Sequence, residues 1–208
     1  MSSNIGVMGH PIGHTKSPIF QQAGLDELGI KETFEAWDVM PDELEEKIGT
    51  FRTSGFLAAC VTLPYKQAVI PMVDELTEAA EAVGAVNWIF NRDGQLIGHN
   101  TDSTGFLRAL KEKVGFDPNG ADAVVFGAGG AARAIVYALK TAGVNRLTIA
   151  NRTIENARTL ASDFSEGRFK PNAIGISRDE LSDYVPYATL LVNTTSLGMA
   201  GGPAELAT

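Results

Sequence analysis

The stretch from Ala123 to Ala134 most constrains what this chain can fold into. A short β-branched and aromatic run, Val124-Val125-Phe126, enters the cluster Gly127-Ala128-Gly129-Gly130-Ala131-Ala132, and a helical pattern through Ile135, Val136 and Leu139 leaves it. That order is strand, tight turn, helix. Glycines stand where the backbone must turn sharply and come close to a ligand, so that the new helix points its unpaired N–H groups at a phosphate. The spacing G-x-G-x-x-A is weak by itself, and a glycine-rich turn with no ligand also fits it.

The flanks add weight. Beyond the turn the pattern alternates: a helix to about residue 142, a strand at 147–150, a helix at 154–164, a short strand near 173–176, a helical turn at 178–183 and a strand at 189–192. Such alternation predicts a parallel, doubly wound sheet. In a dinucleotide site the second strand ends, roughly 20 residues beyond the glycines, in an acid that binds the ribose hydroxyls and repels a 2′-phosphate. Here it ends in Asn151-Arg152-Thr153. An amide, a guanidinium and a hydroxyl suit a phosphate dianion, so the expected cofactor is NADP rather than NAD.

The first half reads differently. Residues 5–8 predict a strand, and His10-Pro11-Ile12-Gly13-His14-Thr15-Lys16 a polar loop. Ser17-Pro18 has the form of an N-cap followed by proline at the first helical position, with Phe20, Ala23, Gly24 and Leu28 on one face and Gly29 as the stop. Thr15 and Ser17 are candidate donors to a polar substrate, and Ser17 as a plain cap fits equally. A strand at 33–40 and a helix opened by Pro41, with Leu44, Ile48 and Phe51 on its buried side, read as scaffold.

Residues 56–62 form a nearly continuous apolar run, the mark of a strand covered on both faces as in a parallel sheet. The run stops at Leu63-Pro64-Tyr65-Lys66, which leaves Thr62 and Lys66 at the sheet's carboxyl end before a short helix at 67–70. A helix at 74–83, a strand at 84–90, a turn at Asn91-Arg92-Asp93-Gly94 and a return strand at 95–98 follow. The return strand delivers His99-Asn100-Thr101-Asp102 to the start of a helix with Phe106, Leu107, Leu110 and Val114 on its buried side. Lys66 as a solvated charge and Asp102 as a capping carboxylate remain open beside their functional readings. The domain change falls between about 103 and 120.

Charge and cysteine usage bound the partners. A formal net charge of −8 argues against nucleic acid or an anionic membrane. The single cysteine, Cys60, cannot make an internal disulfide, which suits a reducing compartment, and no run approaches the roughly 20 apolar residues of a membrane span. With no signal-peptide pattern at the start, a cytoplasmic protein acting on a small molecule is expected.

Taken together, Pro11-Ile12-Gly13-His14-Thr15-Lys16-Ser17-Pro18, Val61-Thr62-Leu63-Pro64-Tyr65-Lys66, Gly84-Ala85-Val86-Asn87, Asn100-Thr101-Asp102, the 127–132 loop, Asn151-Arg152-Thr153 and Asn193-Thr194-Thr195-Ser196-Leu197-Gly198-Met199 resemble the shikimate dehydrogenase family. The resemblance covers essentially the whole chain in the right order. It implies an α/β protein of two domains, a substrate-binding and catalytic domain at 1–103 and an incomplete Rossmann-type NADP-binding domain at 104–208. It also implies an NADP-dependent oxidoreductase that interconverts 3-dehydroshikimate and shikimate in aromatic amino acid biosynthesis. By that resemblance Lys66 and Asp102 form the catalytic pair, and Thr15, Ser17, Thr62 and Asn87 bind the substrate. Gly127, Ala128, Gly129, Gly130, Ala131, Ala132, Asn151, Arg152, Thr153, Thr194 and Met199 hold the cofactor, and no metal is expected.

Three positions depart from the family pattern. Cys60 stands where the family usually has Asn, His99 where it most often has Asp, and Trp88 replaces a smaller residue. Quinate or another cyclic polyol acid is therefore an alternative substrate. Family members also continue for some tens of residues more, so a shortened chain is expected, with a non-catalytic ligand-binding relative or inactive fragment as the other alternative.

Overall fold

A computed structural model describes residues 4–198. The chain divides into two compact units, Met1–Thr101 and Asp102–Thr208. Met199, named above as a cofactor contact, lies outside the described residues.

The first unit runs β1 (Ile5–Gly9), α1 (Ser17–Glu27), β2 (Phe34–Asp38), α2 (Leu44–Thr50), β3 (Ala58–Val61), β4 (Glu75–Leu76), α3 (Glu78–Val83), β5 (Trp88–Arg92) and β6 (Gln95–His99). Its described strands form one six-stranded sheet in the order β2-β1-β3-β5-β6-β4. All run the same way except β5, which is antiparallel to both β3 and β6. Met8, Ala59, Val61, Ile89 and Leu96 face one core with Leu44, Ile48 and Phe51 of the α2 segment. Ile5, Val7 and Phe34 face another with Leu25 of α1.

The chain departs locally from expectation. Ser17 is the first residue of α1 and not its cap: Lys16 is the N-cap, and the Ser17 N–H donates to Thr15 Oγ1 at 3.2 Å. The expected face of α1 is also wrong, because Leu25 is buried while Phe20 and Leu28 are 59% and 75% exposed. Apolar residues ring this helix, so its period cannot choose a side. Residues 67–69 form turns that lead into a 3₁₀ turn at Ile70–Met72, with Pro71 inside it. The expected helix at 74–83 begins instead with β4, and Thr77 Oγ1 caps α3 by accepting the Ala80 N–H at 3.4 Å. Residues 84–87 are irregular, and β5 starts only at Trp88. The β3 strand is parallel to β1 alone, with Ala59 and Val61 buried and Ala58 and Cys60 half-buried. The hairpin turn is as expected, with Asp93 and Gly94 both at positive φ.

The second unit opens with α4 (Asp102–Ala109), which continues into a π-helical turn at Leu110–Val114. Leu110 is buried, whereas Val114 is 69% exposed, because the wider π turn rotates it off the expected face. Then come β7 (Asp122–Phe126), α5 (Gly130–Thr141), β8 (Arg146–Ala150), α6 (Ile154–Phe164), β9 (Asn172–Ile174), α7 (Arg178–Ser182) and β10 (Leu190–Asn193). The described strands form a four-stranded parallel sheet in the order β10-β7-β8-β9. This is the doubly wound pattern anticipated from the alternation.

One polar staple ties the turn after α2 to the segment before β4 and to the β5–β6 hairpin. Asp74 accepts from the Arg52 guanidinium and, at 2.7 Å, from the Leu96 N–H, while Arg52 also reaches the Gly94 carbonyl at 3.1 Å. The Arg52 guanidinium, and secondarily the Leu96 N–H, hold the Asp74 carboxyl below its usual range. The unfolded chain therefore binds this proton more readily than the native one. The staple's contribution is complete above about pH 4 and is lost as pH falls below that. Asp74→Asn is expected to lower the thermal midpoint at neutral pH, with the difference from wild type shrinking in melts recorded below pH 4.

Candidate functional site

Strand direction gathers distant residues at one end of the first sheet. The carboxyl ends of β1, β3 and β6 lie together, and because β5 runs the other way its amino end joins them. The loop with Thr15 and Ser17, the segment Thr62 to Lys66, the Asn87-Trp88 strand start and the His99 to Thr101 strand end all meet there.

Backbone bonds lock these segments to one another. The Thr62 N–H donates to the Met8 carbonyl at 3.0 Å, and the His10 N–H to the Leu63 carbonyl at 3.1 Å. Gly9 allows this approach, since a Cβ there would stand 2.6 Å from Thr62 Cγ2 and 2.7 Å from the Leu63 carbonyl. The Tyr65 hydroxyl, on a buried ring, donates to the Val39 carbonyl at 2.5 Å. On the other side the Val86 N–H donates to the Lys66 carbonyl at 2.7 Å, and the Asn87 N–H to the His99 carbonyl at 3.0 Å.

Asn87 joins two of these segments through its side chain. Its Oδ1 accepts the Thr101 N–H and its Nδ2 donates to Thr101 Oγ1, both at 2.9 Å. Asn100 Nδ2 donates to the Ala85 carbonyl at 2.9 Å, and both asparagines are buried. The two residues before Asp102 are thus pinned to the turn that also holds the Lys66 carbonyl. Thr15, Ser17, Thr62 and Lys66 are half-buried. The Thr15 hydroxyl donates to Ser17 Oγ at 3.2 Å. Asp102 follows Thr101 directly as the first residue of α4, in the second unit. Asn100 and Thr101 as builders of this framework, and Tyr65 as its strut, were not separable in the sequence from ordinary loop and core residues.

In the second unit, the glycine-rich turn lies at the carboxyl end of β7. Gly127 has φ +109°, and a Cβ on it would stand 2.5 Å from Thr194 Oγ1. The Thr194 hydroxyl and N–H donate to the Phe126 carbonyl at 2.7 and 2.8 Å, so the end of β10 closes on the turn. Gly129 differs: it is exposed, with nothing within 4 Å of an added Cβ. It is the N-cap of α5 and offers no side-chain cap to the helix N–H groups. Ala128, Gly130 and Ala131 are half-buried and Ala132 is buried against the sheet. Asn151, Arg152 and Thr153 follow β8 at the same end, with the Asn151 side chain donating to the Thr153 carbonyl at 2.8 Å and Arg152 exposed. An open backbone approach at Gly129, a helix amino end and an exposed guanidinium at the next strand end fit a phosphorylated dinucleotide. A cleft of about 80 Å³ lined by Asp122, Arg146, Thr148, Tyr184 and Tyr187 lies at the opposite, amino end of these strands. It plays no part in this arrangement.

Comparison with known proteins agrees with the geometry. Residues 7–89 match the shikimate dehydrogenase substrate binding domain and residues 109–197 match the shikimate / quinate 5-dehydrogenase domain. Shikimate dehydrogenase (NADP(+)) of Methanopyrus kandleri is 42% identical over 196 residues, 94% of this chain and 68% of that protein. The chain belongs to the shikimate dehydrogenase family. It spans about two thirds of the length of the curated relatives it matches. The crystal structure of the Thermus thermophilus shikimate 5-dehydrogenase, in complex with NADP(H) and shikimate, superposes with a TM-score of 0.78 at 35% identity, covering 93% of this chain and 69% of that one. The ligand-free 5-ketofructose reductase of Gluconobacter sp. strain CHM43 superposes at 0.77 with 31% identity, covering 97% and 72%.

The two glycines separate folding from ligand approach. Gly127→Ala combines a strained φ with a collision at Thr194 and is expected to lower the melting temperature by about 5 °C or more. Gly129→Ala meets nothing and is expected to melt within about 1 °C of wild type in the same calorimetric scan.

Proposed function

We propose that this chain is an NADP-dependent oxidoreductase of the shikimate pathway that interconverts 3-dehydroshikimate and shikimate. The observation that carries the reading is the meeting of the Thr15–Ser17 loop, Thr62, Lys66, Asn87 and the Thr101 clamp at one end of a single sheet. The first part of the chain, 1–103, is read as the substrate domain and 104–208 as the cofactor domain. A cytoplasmic location is part of the proposal, supported by a composition with a single cysteine.

Oxidation of a secondary alcohol removes a proton from oxygen as a hydride leaves the carbon. Lys66 is assigned the proton at the reacting oxygen, and Asp102 the orientation of Lys66 and of that hydroxyl. In the opposite direction Lys66 donates to the oxygen that the ketone becomes. Thr15, Ser17 and Thr62 supply hydroxyls to the polar groups of the ring acid. Asn87 lies beside them and keeps Thr101, and with it the backbone leading into Asp102, in register. NADP, when bound, supplies the hydride acceptor or donor. Gly127, Ala128, Gly129, Gly130, Ala131 and Ala132 are the residues that would receive its pyrophosphate, with Thr194 closing the turn. Asn151, Arg152 and Thr153 would receive the 2′-phosphate, through a guanidinium that no strand-end acid opposes.

NADPH formation, followed by absorbance with shikimate and then quinate, tests the reaction itself. Lys66→Ala and Asp102→Asn are each expected to lower kcat by about a hundredfold or more, the usual scale for acid–base groups. Values within tenfold of wild type for both would remove them from these roles. Arg152→Ala is expected to weaken NADP+ at least tenfold in a fluorescence titration while leaving the weaker NAD+ binding unchanged. Equal wild-type affinities for the two nucleotides would overturn the cofactor assignment.

A further inference from the structure

The three positions that depart from the family pattern are far apart in sequence and adjacent in the fold. In the first sheet Val7 pairs with Cys60, Cys60 with Trp88, and Trp88 with His99. Directly opposed residues project from the same face, so these four make one row across four strands. Ala59 and Ile89, their chain neighbours, and Leu96, three positions before His99, point to the opposite face and its core. Cys60 and Trp88 are half-buried and pack against the cluster of Ile5, Val7, Ile12, Leu25 and Phe34. Ile12 is the buried residue of the loop that carries Thr15. The loop therefore stands on the same apolar cluster as Trp88. At the end of the row, His99 Nδ1 is 2.8 Å from Thr77 Oγ1, the cap of α3.

We propose that Trp88, with Cys60 beside it, is a specificity-determining wall of the substrate site that favours ring acids whose carboxyl-bearing carbon is planar. This rests on the shikimate-type reading above. With the reacting carbinol at Lys66, the substrate carboxylate goes to the Ser17 hydroxyl, whose oxygen already accepts from the Thr15 hydroxyl 3.2 Å away. The carboxyl-bearing carbon then lies under the loop, beside the row on which Ile12 rests. In shikimate that carbon is unsaturated and flat. In quinate it is tetrahedral and carries a further hydroxyl out of the ring plane. An indole face offers contact area to a flat ring, and a thiol is a poor partner for a hydroxyl, so the extra group is buried without a good hydrogen bond. Apolar walls of this kind discriminate against an added hydroxyl by about a hundredfold at most.

Two readouts on the full chain decide it: calorimetric Kd values for shikimate and quinate with NADPH present, and kcat/KM for each acid. Wild type is expected to prefer shikimate by about tenfold to a hundredfold. Trp88→Thr is expected to narrow that preference at least about fivefold, mainly through the quinate Kd and KM, with the NADPH Kd unchanged. Trp88→Leu, which keeps more of the apolar volume under the loop, is measured alongside in case the threonine variant fails to fold, and is expected to narrow it about threefold. A preference that stays within twofold of wild type in the folded variants, or a wild type that prefers quinate, overturns the proposal. Shikimate binding without turnover would overturn the proposed reaction and leave the Kd ratio to decide this one. Binding of neither acid would overturn both.

Discussion

The buried amide of Asn87 is the constraint on which the first unit's site depends. Its side chain holds the Thr101 N–H and hydroxyl, its own N–H holds the His99 carbonyl, and its carbonyl accepts the Val61 N–H at 2.8 Å. One residue thus ties β3, β5 and β6 at the end where Thr62 and Lys66 emerge. Leaving such buried partners unpaired costs about 1–3 kcal/mol each, so the three strand ends hold one arrangement rather than several. Asn87 matters as the joint that sets the spacing between other groups.

That joint is possible only because the sheet is mixed. In a wholly parallel sheet each carboxyl end is followed by a crossover, and the start of the next strand lies at the far side. Here the tight hairpin at Asp93 and Gly94 sends β6 straight back beside β5. The amino end of one strand and the carboxyl end of the next therefore arrive at the same place. The Gly84 to Asn87 motif and the Asn100 to Asp102 motif become spatial neighbours through two strands and a two-residue turn.

What was legible in the sequence follows from how local each signal is. The range of α6 and the order of the second unit were readable because Ile154 to Phe164 carries one apolar stripe and the strands beside it are short apolar runs. The Gly127 turn was readable because its conformation needs glycine whatever surrounds it. Helix α1 was not, since Ile19, Phe20, Leu25 and Leu28 point several ways and only tertiary packing selects Leu25. Two-residue β4 exists through its pairing with Ile97 and Gly98, a partnership about twenty residues away that no local pattern announces. Ser17 looked like a cap by composition, yet the Thr15 hydroxyl accepts its N–H and moves the helix start by one residue. The roles of Asn100 and Thr101 were hidden for a similar reason: their partners, Ala85 and Asn87, are brought to them by the hairpin.

On the proposed reading the two units recognise their ligands by different means, and this bears on how such a fold changes function. The glycine-rich turn works through backbone geometry, an open approach at Gly129 and a helix end, so few side chains there can alter what it accepts. The end of the first sheet works through side chains set on a framework of backbone bonds. Lys66 and the Asn87 clamp belong to that framework, while the side chains of Cys60, Trp88 and His99 stand on the adjoining row. On the proposed reading, exchanging a row residue reshapes the wall while the backbone bonds at the strand ends remain to set Lys66. A 5-ketofructose reductase on the same architecture, with a TM-score of 0.77, is what such a division permits. On that reading the chemistry is held by bonds between strand ends, and the choice of substrate is left to the residues that line one face between them.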